Sequence, residues 1–221
     1  MSARIVFDLD GTLIDSAPDI QNIANIALAG INVAPITIQE THSFIGAGIH
    51  VFVEKMRNAR DVPETHQEAL LEELVSRYDG AVTLTKMYPG VTEALEKLSK
   101  THRLGICTNK LYRPCVAVLK HLKIEHYFGS VWGGDNHLAR KPDPAPLLAV
   151  FDELGDGPRV YVGDSEVDAE TAKRADVRFI LFSKGYRKTA VEDIPHDVAI
   201  DDFNDLSDKI AGLVGRDPQP L

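Results

Sequence analysis

Close to its start, the chain carries the stretch on which the prediction of its fold rests: Arg4-Ile5-Val6-Phe7-Asp8-Leu9-Asp10-Gly11-Thr12-Leu13. The apolar run before Asp8 is typical of a β-strand that is buried on both faces. Asp8 and Asp10 follow at once and lie on the same side of an extended segment, because side chains alternate along it. Gly11 and Thr12 then turn the chain. Asp-Gly is also a common turn pair, so this stretch alone is compatible with a plain strand-ending turn.

Similar short β-rich runs recur along the chain, each closed by polar or glycine residues: Arg103–Cys107, Ser130–Trp132, Arg159–Val162, Arg178–Phe182 and Val198–Ile200. Helix-like segments lie between several of them: Val91–Lys100, Arg113–Leu122, Ala145–Leu154 and Glu166–Ala175. Strand and helix alternate, and the strand runs are apolar throughout. This pattern predicts an α/β fold, a doubly wound and mainly parallel sheet with helices on both faces.

One segment, from about Ser16 to Lys86, breaks the alternation and shows only helical periodicity. Asp15-Ser16-Ala17-Pro18 predicts a helix start with Ser16 as the capping residue. Further helices are predicted over Thr37–Phe44, Ile49–Arg57 and Pro63–Tyr78. The chain of 221 residues is long for one typical domain and short for two. We therefore predict a discontinuous α/β core of residues 1–15 and 87–214, an inserted all-helical domain of residues 16–86, and an unstructured tail of residues 215–221.

Composition and charge limit the possible partners. The chain has 24 basic and 33 acidic residues, a net charge of −9, which disfavours non-specific binding to nucleic acid or to anionic membranes. No apolar run approaches the ~18 residues that a membrane span needs, and Asp8 and Asp10 interrupt the only early apolar stretch, which argues against a signal peptide. Cys107 and Cys115 are too few for a disulfide scaffold. We expect a cytoplasmic protein, a monomer or homodimer.

A second group of carboxylates follows the predicted strand Arg159–Val162: Asp164, Glu166 and Asp168 come directly after Gly163. The carboxyl ends of parallel strands meet at one edge of a sheet, where ligands bind. Carboxylates brought together there repel one another and call for a cation, and Mg²⁺ prefers such oxygen ligands. Asp8 and Asp164 are thus predicted to hold Mg²⁺. Capping of the following helix is the alternative explanation for Asp164 and Asp168.

Two further loops offer groups that bind phosphate. Thr108 and Asn109 follow the strand Arg103–Cys107 and supply a hydroxyl, an amide and backbone N–H groups. Lys141 precedes Pro142, and its ammonium can offset charge on a phosphoryl group in transfer. The simpler alternatives are an N-cap for Thr108 and a solvated surface position for Lys141. Four loops, each after a predicted strand, together indicate a phosphoryl-transfer site.

These four motifs resemble those of the haloacid dehalogenase superfamily, in its phosphatase branch. The matching residues are Asp8-Leu9-Asp10-Gly11-Thr12, Thr108-Asn109, Lys141-Pro142 and Gly163-Asp164-Ser165-Glu166-Val167-Asp168. The resemblance covers the chain from Arg4 to Val214, and the helical insert is similar to the small α-helical cap of this family. Phe44-Ile45-Gly46-Ala47-Gly48 and Tyr88-Pro89-Gly90-Val91 are most similar to its phosphoglycolate phosphatase-like branch.

The resemblance implies a Mg²⁺-dependent phosphomonoester hydrolase. Asp8 would attack phosphorus to give an aspartyl-phosphate, and Asp10 would protonate the leaving alcohol and then take a proton from water. Mg²⁺ would be held by the Asp8 carboxylate, the Asp10 carbonyl and Asp164, with Asp168 in support. Phosphate oxygens would be bound by the following groups: the backbone N–H of Leu9, Thr108, the backbone N–H of Asn109, and Lys141. The best-matching small phosphorylated substrate is 2-phosphoglycolate, cleaved to glycolate and phosphate.

Several alternatives stay open at this stage. Dehalogenase members of the family lack a counterpart of Asp10. Phosphosugar mutases keep both aspartates but usually carry a histidine where this chain has Ile20. A phosphatase for another small phosphoester or for pyrophosphate fits the same motifs. A non-catalytic phosphoacceptor signalling module would need neither Asp10 nor a cap, and it would release no phosphate from a phosphoester supplied with Mg²⁺.

Overall fold

The computed structural model describes residues 2–215. This part of the chain contains eight strands: β1 (Arg4–Phe7), β2 (Ile14–Asp15), β3 (Lys86–Met87), β4 (Arg103–Cys107), β5 (Phe128–Trp132), β6 (Arg159–Gly163), β7 (Arg178–Phe182) and β8 (Val198–Ile200). Its α-helices are α1 (Ala17–Gly30), α2 (Ile38–Phe44), α3 (Ile49–Asn58), α4 (Gln67–Tyr78), α5 (Val91–Ser99), α6 (Tyr112–His121), α7 (Ala145–Glu153), α8 (Glu166–Ala175) and α9 (Leu206–Val214). Short 3₁₀ turns cover Glu64–His66, Glu125–Tyr127, Val191–Asp193 and Phe203–Asp205.

Six strands form one sheet in the order β5-β4-β1-β6-β7-β8, and every pair in it is parallel. This confirms the predicted doubly wound, mainly parallel sheet. β1 lies in the centre, with Phe7 opposite Ile106 of β4 and Val162 of β6. The carboxyl ends of β1, β4 and β6 are therefore neighbours, and the loops that follow these strands start from one edge of the sheet.

Helices cover both faces of the sheet. Successive side chains of each strand point to opposite faces, so each strand contributes apolar side chains to both. Ile5 and Phe7 contribute to an apolar cluster with α5, α6 and α9. Val6, between them, belongs to the cluster on the other face with Phe151 of α7 and Ala172 of α8. Burial of a side chain such as that of Phe151 stabilises the fold by about 1.5–3 kcal/mol.

The helices α1–α4 share a hydrophobic cluster of their own, which includes Ala24 and Leu28 of α1, Phe52 and Met56 of α3, and Leu74 of α4. They follow β2 and precede β3, and these two strands pair antiparallel, with Ile14 opposite Met87 and Asp15 opposite Lys86. The two connections between the helices and the sheet thus lie side by side. The sequence did not predict this pairing, because strands of two residues are too short to show periodicity.

Ser16 occupies the N-cap position of α1, as predicted, but its hydroxyl does not cap the helix. Ser16 Oγ instead donates to Asp10 Oδ1 at 2.5 Å, so the expectation of a capping side chain is wrong. Across residues 2–215, no helix combines the length and the apolar composition that crossing a bilayer requires. The predicted unstructured tail falls mostly on residues 216–221, outside the described residues.

Candidate active site

Asp8, directly after β1, lies against a buried lysine from the loop before α7. Lys141 Nζ is 2.8 Å from Asp8 Oδ1, and the side chain of Lys141 is only 2% exposed. The same ammonium is 2.7 Å from Asp168 Oδ1 and donates to Tyr161 Oη at 2.8 Å. Burial opposes the charge on Lys141, but the Asp168 and Asp8 carboxylates outweigh it and raise its pKa. The alternative of a solvated surface position for Lys141 is therefore wrong.

Asp168, in the first turn of α8, is saturated with donors from the protein. Its Oδ1 receives Lys141 Nζ and Tyr161 Oη, and its Oδ2 receives the backbone N–H groups of Asp164 and Ser165 together with the Ser165 hydroxyl. These contacts include a capping box with Ser165, so the alternative explanation, capping of α8, is confirmed for Asp168. They also lower its pKa despite burial, chiefly through the Lys141 ammonium. Asp168 is thus placed to orient Lys141 and has little capacity left for a metal.

Asp164, directly after β6, is 1% exposed and lies close to Gly11 and Thr12. Its Oδ1 accepts from Thr12 Oγ1 at 2.9 Å, and its Oδ2 accepts from the backbone N–H of Tyr186 at 2.5 Å. Gly11, at φ +88°, makes this approach possible, because a Cβ there would lie 2.5 Å from Asp164 Oδ2. Burial, and next the nearby Asp168 and Asp8 carboxylates, raise the pKa of Asp164 well above its usual range.

Asp10 faces the same space from two residues beyond Asp8. Lys110 Nζ lies 3.2 and 3.3 Å from its two carboxylate oxygens, and Ser16 Oγ donates to Oδ1. The side chain of Lys110 is 3% exposed, and its ammonium also donates to the hydroxyl of Tyr78 at the end of α4 at 3.3 Å. Burial opposes the charge on Lys110, but the Asp10 carboxylate outweighs it and raises the pKa of Lys110.

Thr108 and Asn109 follow β4 and lie on the wall of the same cavity as Asp8 and Asp10. α6 begins only at Tyr112 with Leu111 as its N-cap, so the alternative of an ordinary N-cap role for Thr108 is wrong. The Asn109 amide is fully engaged by the protein: Nδ2 donates to the carbonyls of Gly46 and Lys141, and Oδ1 accepts from the backbone N–H of Lys141. The Asn109 side chain thus ties the loop after α2 to the loop that carries Lys141.

A cleft of about 430 Å³, counted out to its mouth, joins these groups. Its floor is formed by residues at the sheet edge: Asp8, Asp10, Thr108, Asn109 and Lys110. Its roof comes from the helical insert: Ile20, Ile45, Gly46, Gly48, Ile49, Phe52 and Tyr78. Asp164, Lys141 and Lys188 line a smaller cleft that also reaches Asp8 and Asp10.

The donor set at Asp8 and Asp164 fits a hard divalent cation. Oxygens of Asp8, Asp164 and Asp168 lie within 4.8 Å of one another, all three buried. Asp8 Oδ1 is buried and accepts no regular hydrogen bond from any described residue, although the Lys141 ammonium lies beside it. Burial chiefly, and then Asp168, raise the pKa of Asp8 to about 6, while Lys141 opposes this shift. A cation bound between Asp8 and Asp164 would offset both the burial and the repulsion from Asp168 that raise the pKa of Asp8.

A family model described as haloacid dehalogenase-like hydrolase matches residues 5–182. The chain belongs to this family.

Curated relatives are similar to the chain in sequence over nearly its whole length. A phosphoglycolate phosphatase from Cereibacter sphaeroides is 41% identical over 214 residues, which cover 95% of this chain and 98% of the relative. A phosphoglycolate phosphatase from Rhodobacter capsulatus is 38% identical over 215 residues, with coverage of 96% and 98%. The crystal structure of a protein from Haemophilus somnus, described as a predicted phosphoglycolate phosphatase, superposes with a TM-score of 0.86 at 27% identity, covering 93% of this chain and 96% of that one.

The sequence did not predict several site residues of this haloacid dehalogenase-like hydrolase, among them Lys110 and Tyr186. Lys110 follows Thr108 and Asn109 directly, and that position was the available signal. Tyr186 had none, because it lies in a loop far along the chain. Its hydroxyl accepts from the backbone N–H groups of Ser16 and Ala17 and donates to Asp15, while its own backbone N–H donates to Asp164. Tyr186 thus links a predicted metal ligand to the start of α1.

Proposed function

We propose that the protein is a Mg²⁺-dependent phosphomonoester hydrolase with 2-phosphoglycolate as its substrate. The observation that carries the proposal is the placement of Asp8, with a buried oxygen beside the Lys141 ammonium, in one cleft with Asp10 and Thr108. The relatives named phosphoglycolate phosphatase, 38–41% identical over 95–96% of the chain, support the substrate.

In the proposed reaction, a carboxylate oxygen of Asp8 attacks the phosphorus while the bond from phosphorus to the leaving oxygen breaks. The ammonium of Lys141, 2.8 Å from Asp8 Oδ1, would offset charge on both the nucleophile and the phosphoryl oxygens. Asp168 and Tyr161 hold that ammonium in place through contacts of 2.7 and 2.8 Å. Thr108 and the backbone N–H groups of Leu9 and Asn109 would bind the remaining phosphoryl oxygens.

Asp10 is the proposed acid and base. It gives a proton to the leaving oxygen in the first step, so that the alcohol departs neutral. It then takes a proton from the water that attacks the phosphorus of the aspartyl-phosphate, which frees the Asp8 carboxylate and releases phosphate. The Ser16 hydroxyl and the Lys110 ammonium hold the Asp10 carboxylate from one side and so fix its orientation.

The groups proposed to hold Mg²⁺ are the carboxylates of Asp8 and Asp164 and the backbone carbonyl of Asp10, a set of hard oxygen donors. When bound, the ion would supply positive charge that reduces the repulsion between the Asp8 carboxylate and the phosphate dianion. Asp168 is proposed as a positioning residue for Lys141 rather than as a ligand, because its oxygens already accept five hydrogen bonds.

Residues 16–86 are proposed to act as a cap that excludes water from the cleft during transfer. Ile45 and Gly46 of this segment line both clefts, and Asn109 donates to the Gly46 carbonyl from the core side. Ile20, on the roof, offers no group for proton transfer to a sugar hydroxyl, which supports hydrolysis over a phosphosugar mutase reaction.

The test is a phosphate-release assay with Mg²⁺ on 2-phosphoglycolate, sugar phosphates, mononucleotides and pyrophosphate. We expect 2-phosphoglycolate to give the highest kcat/KM, and removal of Mg²⁺ by a chelator to stop turnover. Conversion of β-glucose 1-phosphate to glucose 6-phosphate without net phosphate release would favour the mutase instead. No phosphate release from any of these compounds would contradict the proposal.

A further inference from the structure

We propose that Lys110 determines substrate specificity: its ammonium, together with the Tyr78 hydroxyl, binds a carboxylate carried by the leaving group. This inference rests on the proposed function and extends it by assigning the recognition of the leaving group to particular residues.

The lining of the main cleft is the first argument. Among the described residues that line it, Lys110 is the one cationic side chain. Asp8 and Asp10 are acidic and are assigned to the reaction itself. The part of the lining that comes from residues 16–86 is mainly apolar, with the side chains of Ile20, Ile45, Ile49 and Phe52. A carboxylate placed against such walls without a partner would be strongly destabilised, so an anionic leaving group bound in this main cleft would lie against Lys110.

The position of Lys110 relative to Asp10 is the second argument. The leaving oxygen has to lie at the Asp10 carboxylate, which protonates it, and Lys110 Nζ is 3.2–3.3 Å from that same carboxylate. In 2-phosphoglycolate one methylene group separates the leaving oxygen from the carboxylate. When the leaving oxygen lies at Asp10, a carboxylate separated from that oxygen by one carbon falls within reach of Lys110. This geometry favours short phosphorylated carboxylic acids as substrates.

The hydrogen-bonding capacity at Lys110 is the third argument. Its three contacts, with the two Asp10 carboxylate oxygens and the Tyr78 hydroxyl, engage all three ammonium protons. At 3.2–3.3 Å they are longer than the ~2.7–2.9 Å of a well-formed charge-assisted hydrogen bond, so one of the two shared with Asp10 can be exchanged for a hydrogen bond to a substrate carboxylate. The Tyr78 hydroxyl accepts from Lys110, and its own proton is available to donate to the same carboxylate. The apolar roof also disfavours sugar phosphates, because their hydroxyls would lack partners there.

The experiment measures kcat/KM of the Mg²⁺-loaded enzyme for 2-phosphoglycolate and for ethyl phosphate, which has a methyl group in place of the carboxylate. We expect the wild type to prefer 2-phosphoglycolate. Lys110→Met should lower kcat/KM for 2-phosphoglycolate by about 100-fold more than for ethyl phosphate, since only the former loses a charged partner. Lys97→Met, which removes the same charge from an exposed position 65% open to solvent, should leave both values unchanged.

An equal loss for both substrates would overturn the proposal, because Lys110 would then act only by positioning Asp10. A wild type without preference for 2-phosphoglycolate would overturn it too. If Lys110→Met does not fold, Tyr78→Phe is the second variant, because it keeps the ion pair between Lys110 and Asp10. It should lower kcat/KM about 5-fold for 2-phosphoglycolate alone, since only that substrate loses a hydrogen bond. Equal effects on both substrates would again contradict the proposal.

Failure of the proposed function can be separated from failure of this inference. If the wild type hydrolyses neither compound, calorimetry on the Mg²⁺-loaded wild type measures the affinity for each. Tighter binding of 2-phosphoglycolate than of ethyl phosphate, lost in Lys110→Met, would sustain the carboxylate site. Equal affinities for the two compounds would overturn it.

Discussion

Lys141 and Lys110 are both almost fully buried, and each lies against carboxylates at the end of β1. Lys141 is shared by Asp8 and Asp168, and Lys110 lies against Asp10. Buried ion pairs of this kind seldom add net stability, but removal of one partner leaves an uncompensated charge in the interior. The stability of the fold and the proposed chemistry therefore both depend on Lys141 and Lys110.

Lys141→Met is expected to lower the free energy of unfolding by about 3–5 kcal/mol in the metal-free protein, because it leaves Asp8 and Asp168 without their cation. Urea unfolding at pH 7 measures this difference. Phosphate release by the same variant should be lost. Lys97→Met, at an exposed position, serves as the control and should unfold within about 0.5 kcal/mol of the wild type. A Lys141→Met protein as stable as that control would show that Lys141 is not the counterion.

Individual site residues were predictable where a short motif carried them. The loops that follow predicted strands indicate six residues, which the structure brings to one cleft and its continuation: Asp8, Asp10, Thr108, Asn109, Lys141 and Asp164. Their chemical roles stay predictions. Burial and pairing were not predictable: a lysine inside the sequence Thr-Asn-Lys gives no sign that its ammonium faces Asp10, a hundred residues earlier in the chain. Tyr186 acts through a loop whose path only the packed fold defines.

Helix α2, in the proposed cap, is stabilised at its start by side chains. Thr37 and Glu40 form a capping box, and Arg60 donates to both carboxylate oxygens of Glu40 at 2.7 Å. The Arg60 hydrogen bonds, followed by those from Thr37, lower the pKa of Glu40 to about 2. Because the folded-state pKa lies below the usual value of 4.5, the ion pair stabilises the fold above pH 4.5 and loses this effect as the pH falls towards 2.

Glu40→Gln removes the charge but can keep the hydrogen bond of the capping box. We expect it to lower the free energy of unfolding by about 0.5–1 kcal/mol at pH 7, a small value because the pair is partly exposed to solvent. The difference from the wild type should shrink between pH 4.5 and 2. Urea unfolding at several pH values checks this, with Glu64→Gln, at an exposed position, as the control. A difference that stays constant down to pH 2 would argue against the ion pair.

Whole elements were predicted well where the hydrophobic pattern was continuous. Arg4–Phe7, Arg103–Cys107, Arg178–Phe182 and Val198–Ile200 are strands with the predicted bounds, and Glu166–Ala175 is a helix with the predicted bounds. The segment Pro63–Tyr78 differs, because it splits into a 3₁₀ turn over Glu64–His66 and α4 from Gln67. Propensity does not distinguish the first turn of a helix from a 3₁₀ turn, since both use similar dihedral angles.

The molecule as a whole combines a parallel sheet, whose central strand β1 is followed directly by Asp8, with a group of helices that covers the same edge. Hydrogen bonds from Asn109 to Gly46 and from Lys188 to Ile45 join the sheet loops to that roof. The division into a core of residues 1–15 and 87–214 and a cap of residues 16–86 stays a prediction. The helical periodicity indicated the insert, but contacts between the insert and the sheet loops depend on tertiary packing and were not predictable.

The central claim, that Asp8 accepts the phosphoryl group, is tested most directly by trapping it. The Mg²⁺-loaded enzyme is mixed with 2-phosphoglycolate, quenched in acid within a single turnover, and mapped by peptide mass spectrometry. We predict one added phosphoryl group on the peptide that contains Asp8, absent from Asp8→Asn, whose phosphate release should also be abolished. A phosphoryl group on a different peptide, or turnover by Asp8→Asn at the wild-type rate, would contradict the assignment of Asp8 as the nucleophile.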